Sequence, residues 1–489
     1  MLSWLAEIDL TDIATGRPLE LVGLGGWSYK TYVGCLVLAT LTSLAITPLV
    51  MKLARRLEAV DEPGHRKAHG RPVPLLGGLA VFVGMWVPLI ALLVFENLVT
   101  QQLWNRSAHI MTIFGAGVAM LLLGAADDII GVRVRYKLLV QIPVVVGVWV
   151  AGARFDKLAL PIWGELDASL LGPIVSVVWL LGITNAFNLI DGIDGLATGV
   201  ALFVSLTNGF IAVWTDSAVL AVLMFSIAGA CLGFLRYNFN PARIFLGDTG
   251  SLFLGMTLGI TSVATSSKSQ VASSFLIALV VLGYPALDTL LAMGQRLVRG
   301  KSPFVGDASH IHHRLLQKGL GHRQSVLVLY AVCLLFCVAA LAIVIRKDAL
   351  TTFMLLVIGA LTAYGLWTLG YFKMFTKPSL QRDRYTYRAH HHFVEMIKAK
   401  INLAESSADV FALLRMVPQE LGFQRARLVL AEKPGAPPLE TTYERPFRDG
   451  NAPASAAAGP VVQRDAYKYP QSGLEVEVCI LETSDSRDL

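Results

Sequence analysis

The sequence predicts an all-α polytopic membrane protein that carries a small soluble α+β domain at its C-terminus. Of its 489 residues, 54% are hydrophobic and only 16% are charged, and the mean hydropathy is +0.59. Soluble domains carry about a quarter charged residues, so this composition excludes an ordinary soluble protein. The net charge of +6 is typical of basic loops at a membrane face, and we expect no nucleic-acid partner.

Eleven apolar runs in the first 372 residues are candidates to cross a bilayer, because a spanning helix needs about 20 mainly apolar residues. The fourth and the eighth of these runs are short. The runs lie near 31–51, 74–95, 108–126, 138–152, 171–187, 196–214, 218–235, 250–265, 273–295, 325–345 and 351–371. We therefore predict a membrane domain over residues 1–372 with about 11 transmembrane helices.

The loop charges give the orientation, because Lys and Arg are retained on the cytoplasmic side. With the N-terminus outside, the inner loops carry 17 Lys and Arg, and the N-terminal segment and outer loops carry 8. The inner loops are 52–73, 127–137, 188–195, 236–249 and 296–324. The odd number of spans then places the C-terminus in the cytoplasm, and the first 30 residues show no pattern of a removable signal peptide.

Residues 373–489 form a separate polar segment. An amphipathic helix is predicted over 408–421, an alternating strand over 425–431 and a further strand over 473–481, with loops rich in Pro, Ala and Gly at 434–438 and 451–460. The pattern predicts a cytoplasmic α+β domain of unknown role that resembles small regulatory domains of the GAF kind.

Polar and ionisable side chains follow or precede several of the apolar runs. Such groups cost roughly 2.5–3.5 kcal/mol each near the membrane core, so a cluster of them is a functional hypothesis by default. All of them fall on the predicted cytoplasmic side. They are Asp127, Asp128 and Lys137 around the third and fourth runs, Asn188, Asp191 and Asp194 after the fifth, Asp248 before the eighth, and His310, His312 and His313 after the ninth.

The carboxylates have a functional and a structural interpretation. Adjacent Asp127 and Asp128 repel each other unless a cation neutralises them, and Mg²⁺ prefers one or two carboxylates together with substrate phosphates. The structural interpretation is that the pair marks a helix end and that Asp248 is an ordinary N-cap at the start of the eighth span.

The histidine, arginine and lysine side chains on the same predicted side as these carboxylates are groups that bind phosphate. The three histidines lie near Arg299, Lys301 and Arg314, and imidazole and guanidinium groups directed at phosphate fit this loop better than a zinc site without cysteine ligands. Lys137 is expected at the inner mouth of the fourth span, where plain anchoring at the positive side is the alternative.

Metal-binding carboxylates and phosphate-binding cations at an inner membrane face indicate diphosphate chemistry on a lipid-borne substrate. The alternative class is a secondary transporter with an acidic and histidine-rich site on the cytoplasmic side. No inverted repeat is evident in the sequence, and the polar residues lie in loops or at span ends rather than in the middle of spans.

Five blocks of sequence resemble the polyprenyl-phosphate N-acetylhexosamine-1-phosphate transferases, in the WecA/TagO-like branch of the glycosyltransferase 4 and MraY superfamily. One departure is Gly131, where some relatives carry a third aspartate after the Asp-Asp pair. The blocks are 61–67 with 72–78, Asp127-Asp128, 185–196, 245–251 and His310-Ile-His-His313. The last is similar to the His-Ile-His-His signature of that branch.

The resemblance implies transfer of N-acetylhexosamine 1-phosphate, by default N-acetylglucosamine 1-phosphate, from a UDP-sugar to undecaprenyl phosphate. UMP is released, and the product starts a lipid-linked cell-envelope glycan. The implied cofactor is Mg²⁺, with Mn²⁺ as a substitute, and the implied setting is the bacterial inner (cytoplasmic) membrane with an active site facing the cytoplasm. Membrane lipid is a further partner, a homodimer is left open, and so are the amino sugar and the envelope polymer.

The resemblance also implies roles for particular residues. The lipid phosphate is expected to attack the UDP-sugar directly, since phosphoryl transfer needs positioning and charge neutralisation more than covalent chemistry. A covalent phosphosugar on an aspartate is the alternative. The implied catalytic residues are Asp127, Asp128 and Asp248, the metal ligands are Asn188 and Asp248, and the substrate-binding residues are Lys137, Asn188, Asp191, Asp194, His310, His312 and His313.

Overall fold

The structure, a computed structural model, describes most of the membrane region and parts of the C-terminal region. The described ranges are 29–62, 72–94, 98–155, 157–160, 164–167, 171–268, 274–298, 310–345, 349–371, 407–420, 425–431, 439–444, 461–468 and 475–482, with a few positions between 392 and 403. The chain divides into two compact units, Met1–Gln295 with Pro303–Phe375, and Arg296–Ser302 with Thr376–Leu489. The predicted boundary at residue 372 stays a prediction.

The membrane region is helical. Two short antiparallel strand pairs interrupt it: β1 (Val60–Asp61) pairs with β2 (Val73–Pro74), and β3 (Lys157–Leu160) pairs with β4 (Gly164–Asp167). In chain order the helices are α1 (Tyr29–Arg56), α2 (Gly78–Leu92), α3 (Leu98–Asn105), α4 (Ser107–Ile130), α5 (Val134–Val150), α6 (Leu171–Ile190), α7 (Leu196–Trp214), α8 (Ala218–Asn238), α9 (Gly247–Lys268), α10 (Ser274–Val281), α11 (Gly283–Val298), α12 (Ile311–Gln317), α13 (His322–Ile345) and α14 (Ala349–Thr368).

Six helices within the described residues are long and apolar enough to cross a membrane, namely α1, α4, α6, α7, α8 and α13. Large apolar side chains lie exposed on the outside of the bundle, among them Leu41 (59% exposed), Leu122 (64%) and Leu139 (70%). Extended apolar surface of this kind is typical of contact with lipid rather than water. The protein is therefore a multi-pass membrane protein, and the count of eleven spans stays a prediction. The ninth apolar run is divided at Leu282 into α10 and α11.

The backbone joins two of the sequence motifs. The amide of Phe245 donates to the carbonyl of Pro74 over 2.9 Å, and the amides of Gly77 and Gly78 donate to the carbonyls of Phe245 and Leu246 over 3.1 and 3.0 Å. The 72–78 block thus holds the chain that leads into α9. Most of the 61–67 block lies outside the described residues.

Helices α4 and α9 cross at very close range. A β-carbon on Gly124 would lie 2.2 Å from the carbonyl oxygen of Asp248, which is far inside any real contact. Only glycine therefore lets the end of α4 approach the start of α9, and this crossing brings Asp127 and Asp128 to the first turn of α9.

We expect Gly124→Ala to lower the stability of the protein by about 1–3 kcal/mol, the usual cost of overpacking, and to reduce activity because the backbone of Asp248 must move. Thermal unfolding in detergent measures the first effect. Gly115→Ala is the matched control, since it lies on the same helix with no atom near the added β-carbon. Equal melting temperatures for the two variants would contradict the close crossing.

The second unit contains α15 (Ser407–Glu420) and four strands, β5 (Arg425–Ala431), β6 (Leu439–Glu444), β7 (Val461–Lys468) and β8 (Glu475–Glu482). The strands form one antiparallel sheet in the order β6-β5-β8-β7. The helix and strands β5 and β8 coincide with the sequence patterns, whereas β6 and β7 were not indicated by them. The two predicted loops lie outside the described residues, and the soluble α+β domain and its likeness to GAF domains stay predictions.

Candidate active site

The first turn of α9 is capped by a side chain from another helix. Asp128, at the end of α4, accepts the backbone N–H of Asp248 at Oδ1 over 2.8 Å. Its Oδ2 accepts the N–H of Thr249 over 3.1 Å and the hydroxyl of the same residue over 2.6 Å. These bonds satisfy N–H groups that a helix start leaves without partners. Asp128 is therefore the cap, and the interpretation of Asp248 as the N-cap is wrong.

Lys137 lies at the centre of the polar cluster, on the first turn of α5. Its ammonium donates to Oδ2 of Asp127 over 2.6 Å and to Oδ2 of Asp248 over 2.5 Å. Asp127 is held in turn by the N–H of Val132, which donates to Oδ1 over 2.5 Å. The side chain of Lys137 is only 16% exposed and is paired with two carboxylates, which favours a role in the cluster over plain anchoring at the positive side.

Gly131 stands where some relatives carry the last aspartate of an Asp-Asp-x-x-Asp pattern, and here it has a structural role. It ends α4 with a φ of 67°, and its N–H donates to the carbonyl of Asp127 over 2.9 Å. Glycine adopts this backbone region without the cost that a side chain brings. The position therefore serves to end the helix beside the carboxylate pair.

Asn188 joins α6 to the same cluster. Its amide nitrogen donates to Oδ1 of Asp248 over 2.7 Å and to the hydroxyl of Ser251 over 3.0 Å. The opposite amide atom, Oδ1, is the neutral oxygen that a cation would use. One turn earlier on α6, Asn185 donates to Gln141 of α5 over 2.8 Å. The sequence analysis gave no role to Gln141 or to Ser251, although Ser251 lies in the 245–251 block, because their contacts with α6 depend on how the helices pack.

The chain leaves the helix after Ile190, which changes the expected placement of the next carboxylates. Gly195 has a φ of 80° and starts α7, so residues 191–195 form a turn. Oδ2 of Asp194 accepts the side-chain amide of Asn240 over 2.9 Å and the N–H of Ala242 over 3.0 Å. The spacing of Asn188, Asp191 and Asp194 at every third residue suits one face of a helix, but the helix ends before Asp191 and the three side chains do not share a helix face. Asp194 instead holds the loop between α8 and α9.

The cluster is short of positive charge. Burial raises the pKa of Asp191 well above its ordinary value, and the carboxylates of Asp248 and Asp128 raise it further. The pKa of Asp248 is raised to about 7, first by burial and then by the neighbouring carboxyl of Asp127, against the opposing effect of Lys137. Carboxylates crowded in this way favour a further cation.

A magnesium ion fits these residues. Among the residues that the structure describes, no three His, Cys, Asp or Glu side chains form a ready metal cage. Mg²⁺, however, is usually bound through one or two carboxylates plus waters and substrate phosphates. Asp248 with Asn188 is a donor set of that kind, beside the excess of negative charge.

His310 precedes α12 and is held from α11. Its Nδ1 lies 2.8 Å from Oδ2 of Asp288, and the N–H of Ile311 donates to Oδ1 of the same carboxylate over 2.6 Å. Sequence reasoning missed Asp288. A signal for it was present, because Asp288 is the only charged residue in the apolar run 273–295 and an ionisable group inside such a run is a functional hypothesis by default.

His312 connects the histidine segment to the 185–196 motif. A β-carbon on Gly192 would lie 2.7 Å from its Nε2, so the ring packs directly against this glycine. Burial, and then the neighbouring His313, lowers the pKa of His312 to about 3. Burial therefore favours the neutral form of the ring, which can still donate one N–H, and the role of His312 in binding substrate stays a prediction.

Arg314 is used within the fold. Its guanidinium donates to the carbonyl of Leu369 over 2.9 Å and to the side-chain oxygen of Gln295 over 2.8 Å, and it lies 3.8 Å from the ring centre of Tyr371. The prediction that it is directed at phosphate is wrong, because these groups already bind it. Arg299 and Lys301 lie outside the described residues.

The structure thus brings together side chains from the ends of several membrane helices: Asp127 and Asp128 of α4, Lys137 of α5, Asn188 of α6 and Asp248 of α9. Asp191 lies beside this group, and His312 reaches the same turn through Gly192. Their catalytic and binding roles stay predictions. A buried cluster of carboxylates and a lysine at the ends of membrane helices fits an integral membrane enzyme that acts on phosphate-bearing substrates.

Comparison with known proteins gives the family. The model of the family described as "Glycosyl transferase family 4" matches residues 110–266 of this chain. A probable undecaprenyl-phosphate N-acetylglucosaminyl 1-phosphate transferase of Bacillus subtilis is 35% identical over 308 residues, 63% of this chain and 83% of the relative. A decaprenyl-phosphate N-acetylglucosaminephosphotransferase of Mycolicibacterium smegmatis is 35% identical over 349 residues, 66% of this chain and 82% of the relative. The undecaprenyl-phosphate α-N-acetylglucosaminyl 1-phosphate transferase of Escherichia coli is 29% identical over 299 residues, 60% and 78% of the two chains.

This chain belongs to glycosyl transferase family 4, within the WecA/MraY-like superfamily. The predicted family is confirmed. The prediction that the chain is an enzyme is also confirmed, and the alternative of a secondary transporter is set aside.

Proposed function

We propose that this protein transfers N-acetylglucosamine 1-phosphate from UDP-N-acetylglucosamine to undecaprenyl phosphate at the cytoplasmic face of the bacterial inner membrane. The observation that carries the proposal is the cluster of Asp127, Lys137, Asn188 and Asp248, within a family whose relatives are named for this transfer. Eleven spans, a cytoplasmic C-terminal region and a role in starting a lipid-linked envelope glycan belong to the same proposal.

An apolar groove supports a lipid substrate. A cavity of about 550 Å³ lies between α6 and the helix pair α10 and α11, and its lining is almost wholly apolar. Asn188 lies at the end of the same helix α6, so a polyprenyl chain in the groove can present its phosphate to the polar cluster. The lining residues are Ile174, Val175, Val178, Trp179, Gly182, Ile183, Ala186, Leu279, Ala286, Thr289, Leu290 and Met293.

Asp248 and Asn188 are the residues that would hold Mg²⁺, or Mn²⁺ in its place. Bound there, the ion supplies charge neutralisation for the diphosphate and for the leaving UMP. Asp128 holds the backbone of Asp248 in place through the first turn of α9. Lys137 bridges the carboxylates of Asp127 and Asp248, which reduces their repulsion, and adds a fixed positive charge for phosphate.

In the reaction, an oxygen of the lipid phosphate forms a bond to the β-phosphorus of the UDP-sugar. The bond from that phosphorus to the bridging oxygen breaks, and UMP leaves with the electron pair. A phosphate monoester has a second pKa near 6, so it is already mostly dianionic at neutral pH. Asp127 is therefore a group that positions Lys137, and a base only for the protonated minority of the substrate.

The proposal is tested by incubating the purified protein with undecaprenyl phosphate, Mg²⁺ and a panel of UDP-sugars, followed by mass spectrometry of the lipids. We expect undecaprenyl diphosphate N-acetylglucosamine and UMP with UDP-N-acetylglucosamine. Product with another UDP-N-acetylhexosamine alone would correct the sugar, and no lipid-linked product with any donor would reject the proposal.

We expect Gly182→Leu to raise the KM for undecaprenyl phosphate by about tenfold, since a bulky side chain removes room in an apolar site. The KM for a short-chain polyprenyl phosphate should change much less. Gly147→Leu is the matched control, because this glycine of α5 also faces open space but does not line the groove. An unchanged KM in Gly182→Leu would show that the lipid binds elsewhere.

A further inference from the structure

A fully buried carboxylate outside the polar cluster has no part in the function proposed above. The side chain of Asp288, in the middle of α11, is 0% exposed, and that of His310 is 5% exposed. A buried charge is costly unless it is paired and hydrogen-bonded. Asp288 has two hydrogen-bond partners, Nδ1 of His310 and the N–H of Ile311.

The hydrogen bond to Asp288 determines which nitrogen of the His310 ring carries the proton. An ionised carboxylate only accepts hydrogen bonds, so Nδ1 of His310 must carry the proton that lies between the two groups. Nε2 of His310 is then on the far side of the ring from Asp288. The orientation and the tautomer of the ring are therefore both fixed from α11.

The same contact places the rest of the histidine segment. The rings of His310 and His312 lie parallel within 11°, with centres 5.7 Å apart, and the ring of His312 packs against Gly192. A continuous set of contacts thus runs from Asp288 through the two histidines to the turn that follows Asn188.

We propose that Asp288 is a positioning residue, which acts on the sugar-nucleotide through His310 by fixing the tautomer and the direction of its ring. The inference rests on the proposed function, and on binding of the UDP-sugar by the histidine segment, which the family resemblance implies. It contrasts with a purely structural role, in which Asp288 only caps α12 through the N–H of Ile311.

Asp288→Asn separates the two roles. The amide oxygen still accepts the N–H of Ile311, whereas the amide NH₂ group faces Nδ1 of His310 and favours the opposite tautomer. We expect kcat/KM for UDP-N-acetylglucosamine to fall by about 10²-fold, the size of effect seen when one donor to a reacting group is lost. The KM for undecaprenyl phosphate and the melting temperature should stay close to the wild-type values.

A double-mutant cycle gives the decisive measurement. His310→Ala alone should lower kcat/KM about as much as Asp288→Asn, and adding Asp288→Asn to His310→Ala should cost less than about twofold more, since residues that act as one unit are not additive. Calorimetric binding of UDP-N-acetylglucosamine gives the same cycle where turnover is too slow to measure.

Losses that multiply in the double variant would overturn the inference and assign Asp288 a structural role. So would Asp288→Asn with wild-type kcat/KM. Turnover of the wild-type protein in the same assay tests the proposed function separately. A wild-type protein without turnover rejects the proposed function and this inference together, whereas an active wild type with multiplied losses rejects the inference alone.

Discussion

Asp248→Asn is expected to reduce transfer of N-acetylglucosamine 1-phosphate by at least about 10³-fold, the upper range for removing one group that stabilises developing charge. The substitution keeps the shape of the side chain but removes the carboxylate that binds Lys137 at Oδ2 and Asn188 at Oδ1. It also removes the charged oxygen donor that we assign to Mg²⁺. Release of UMP, followed with undecaprenyl phosphate and UDP-N-acetylglucosamine, measures the loss.

Asp216→Asn is the matched control for this change. Asp216 is an exposed aspartate that follows α7 at the end opposite to the polar cluster, and its substitution should leave turnover unchanged. Raising Mg²⁺ or replacing it by Mn²⁺ should not restore Asp248→Asn. Near-normal turnover of that variant in Mg²⁺ would reject the assignment of Asp248.

Lys137→Met is expected to lower kcat/KM by about 10²-fold or more, for a different reason. The ammonium lies between two carboxylates, and without it Asp127 and Asp248 repel each other across a buried site. The phosphates of the substrates also lose a fixed positive charge. Lys137→Arg should not restore activity, because a planar guanidinium does not replace a compact ammonium held between two oxygens 2.5 and 2.6 Å away.

Lys52→Met provides the control, since Lys52 is an exposed lysine near the end of α1. The half-saturating concentration of Mg²⁺ distinguishes Lys137→Met from Asp248→Asn. It should not rise in Lys137→Met, because Lys137 competes with a cation for Oδ2 of Asp248. Wild-type activity in Lys137→Met or full rescue by Lys137→Arg would contradict this account.

The sequence was sufficient to predict that the polar motifs lie on one side of the membrane domain, because this prediction depends on strong local signals. Carboxylates such as Asp127 and Asp248 stand at the ends of apolar runs, and the high cost of charge in lipid makes such residues conspicuous. The alternation of apolar runs with basic loops likewise predicts a helical membrane protein. Neither signal depends on details of packing.

The division of roles between Asp127 and Asp128 was not predictable, because it depends on tertiary packing. Neighbouring residues on a helix point in different directions, and the crossing of α4 and α9 at Gly124 decides which carboxylate meets the first turn of α9. Asp128 therefore caps a helix while Asp127 binds Lys137.

Two further features depend on contacts between distant segments. The turn at Gly195 takes Asp194 away from Asn188, although the spacing in the sequence suits one helix face. The pair of Asp288 and His310 links residues 22 positions apart. Hydrophobic periodicity carries no information about such pairs, and only the isolated charge of Asp288 in its apolar run pointed to a role.

The most direct test of the account follows the β-phosphate of the donor. UDP-N-acetylglucosamine with a radioactive β-phosphate is incubated with the purified protein, undecaprenyl phosphate and Mg²⁺, and the lipid and water-soluble products are separated. Transfer of the sugar phosphate predicts label in the lipid fraction, matched by an equal amount of unlabelled UMP and dependent on the lipid acceptor. Label that stays in the water-soluble fraction as UDP, with or without a glycosylated lipid, would contradict the account.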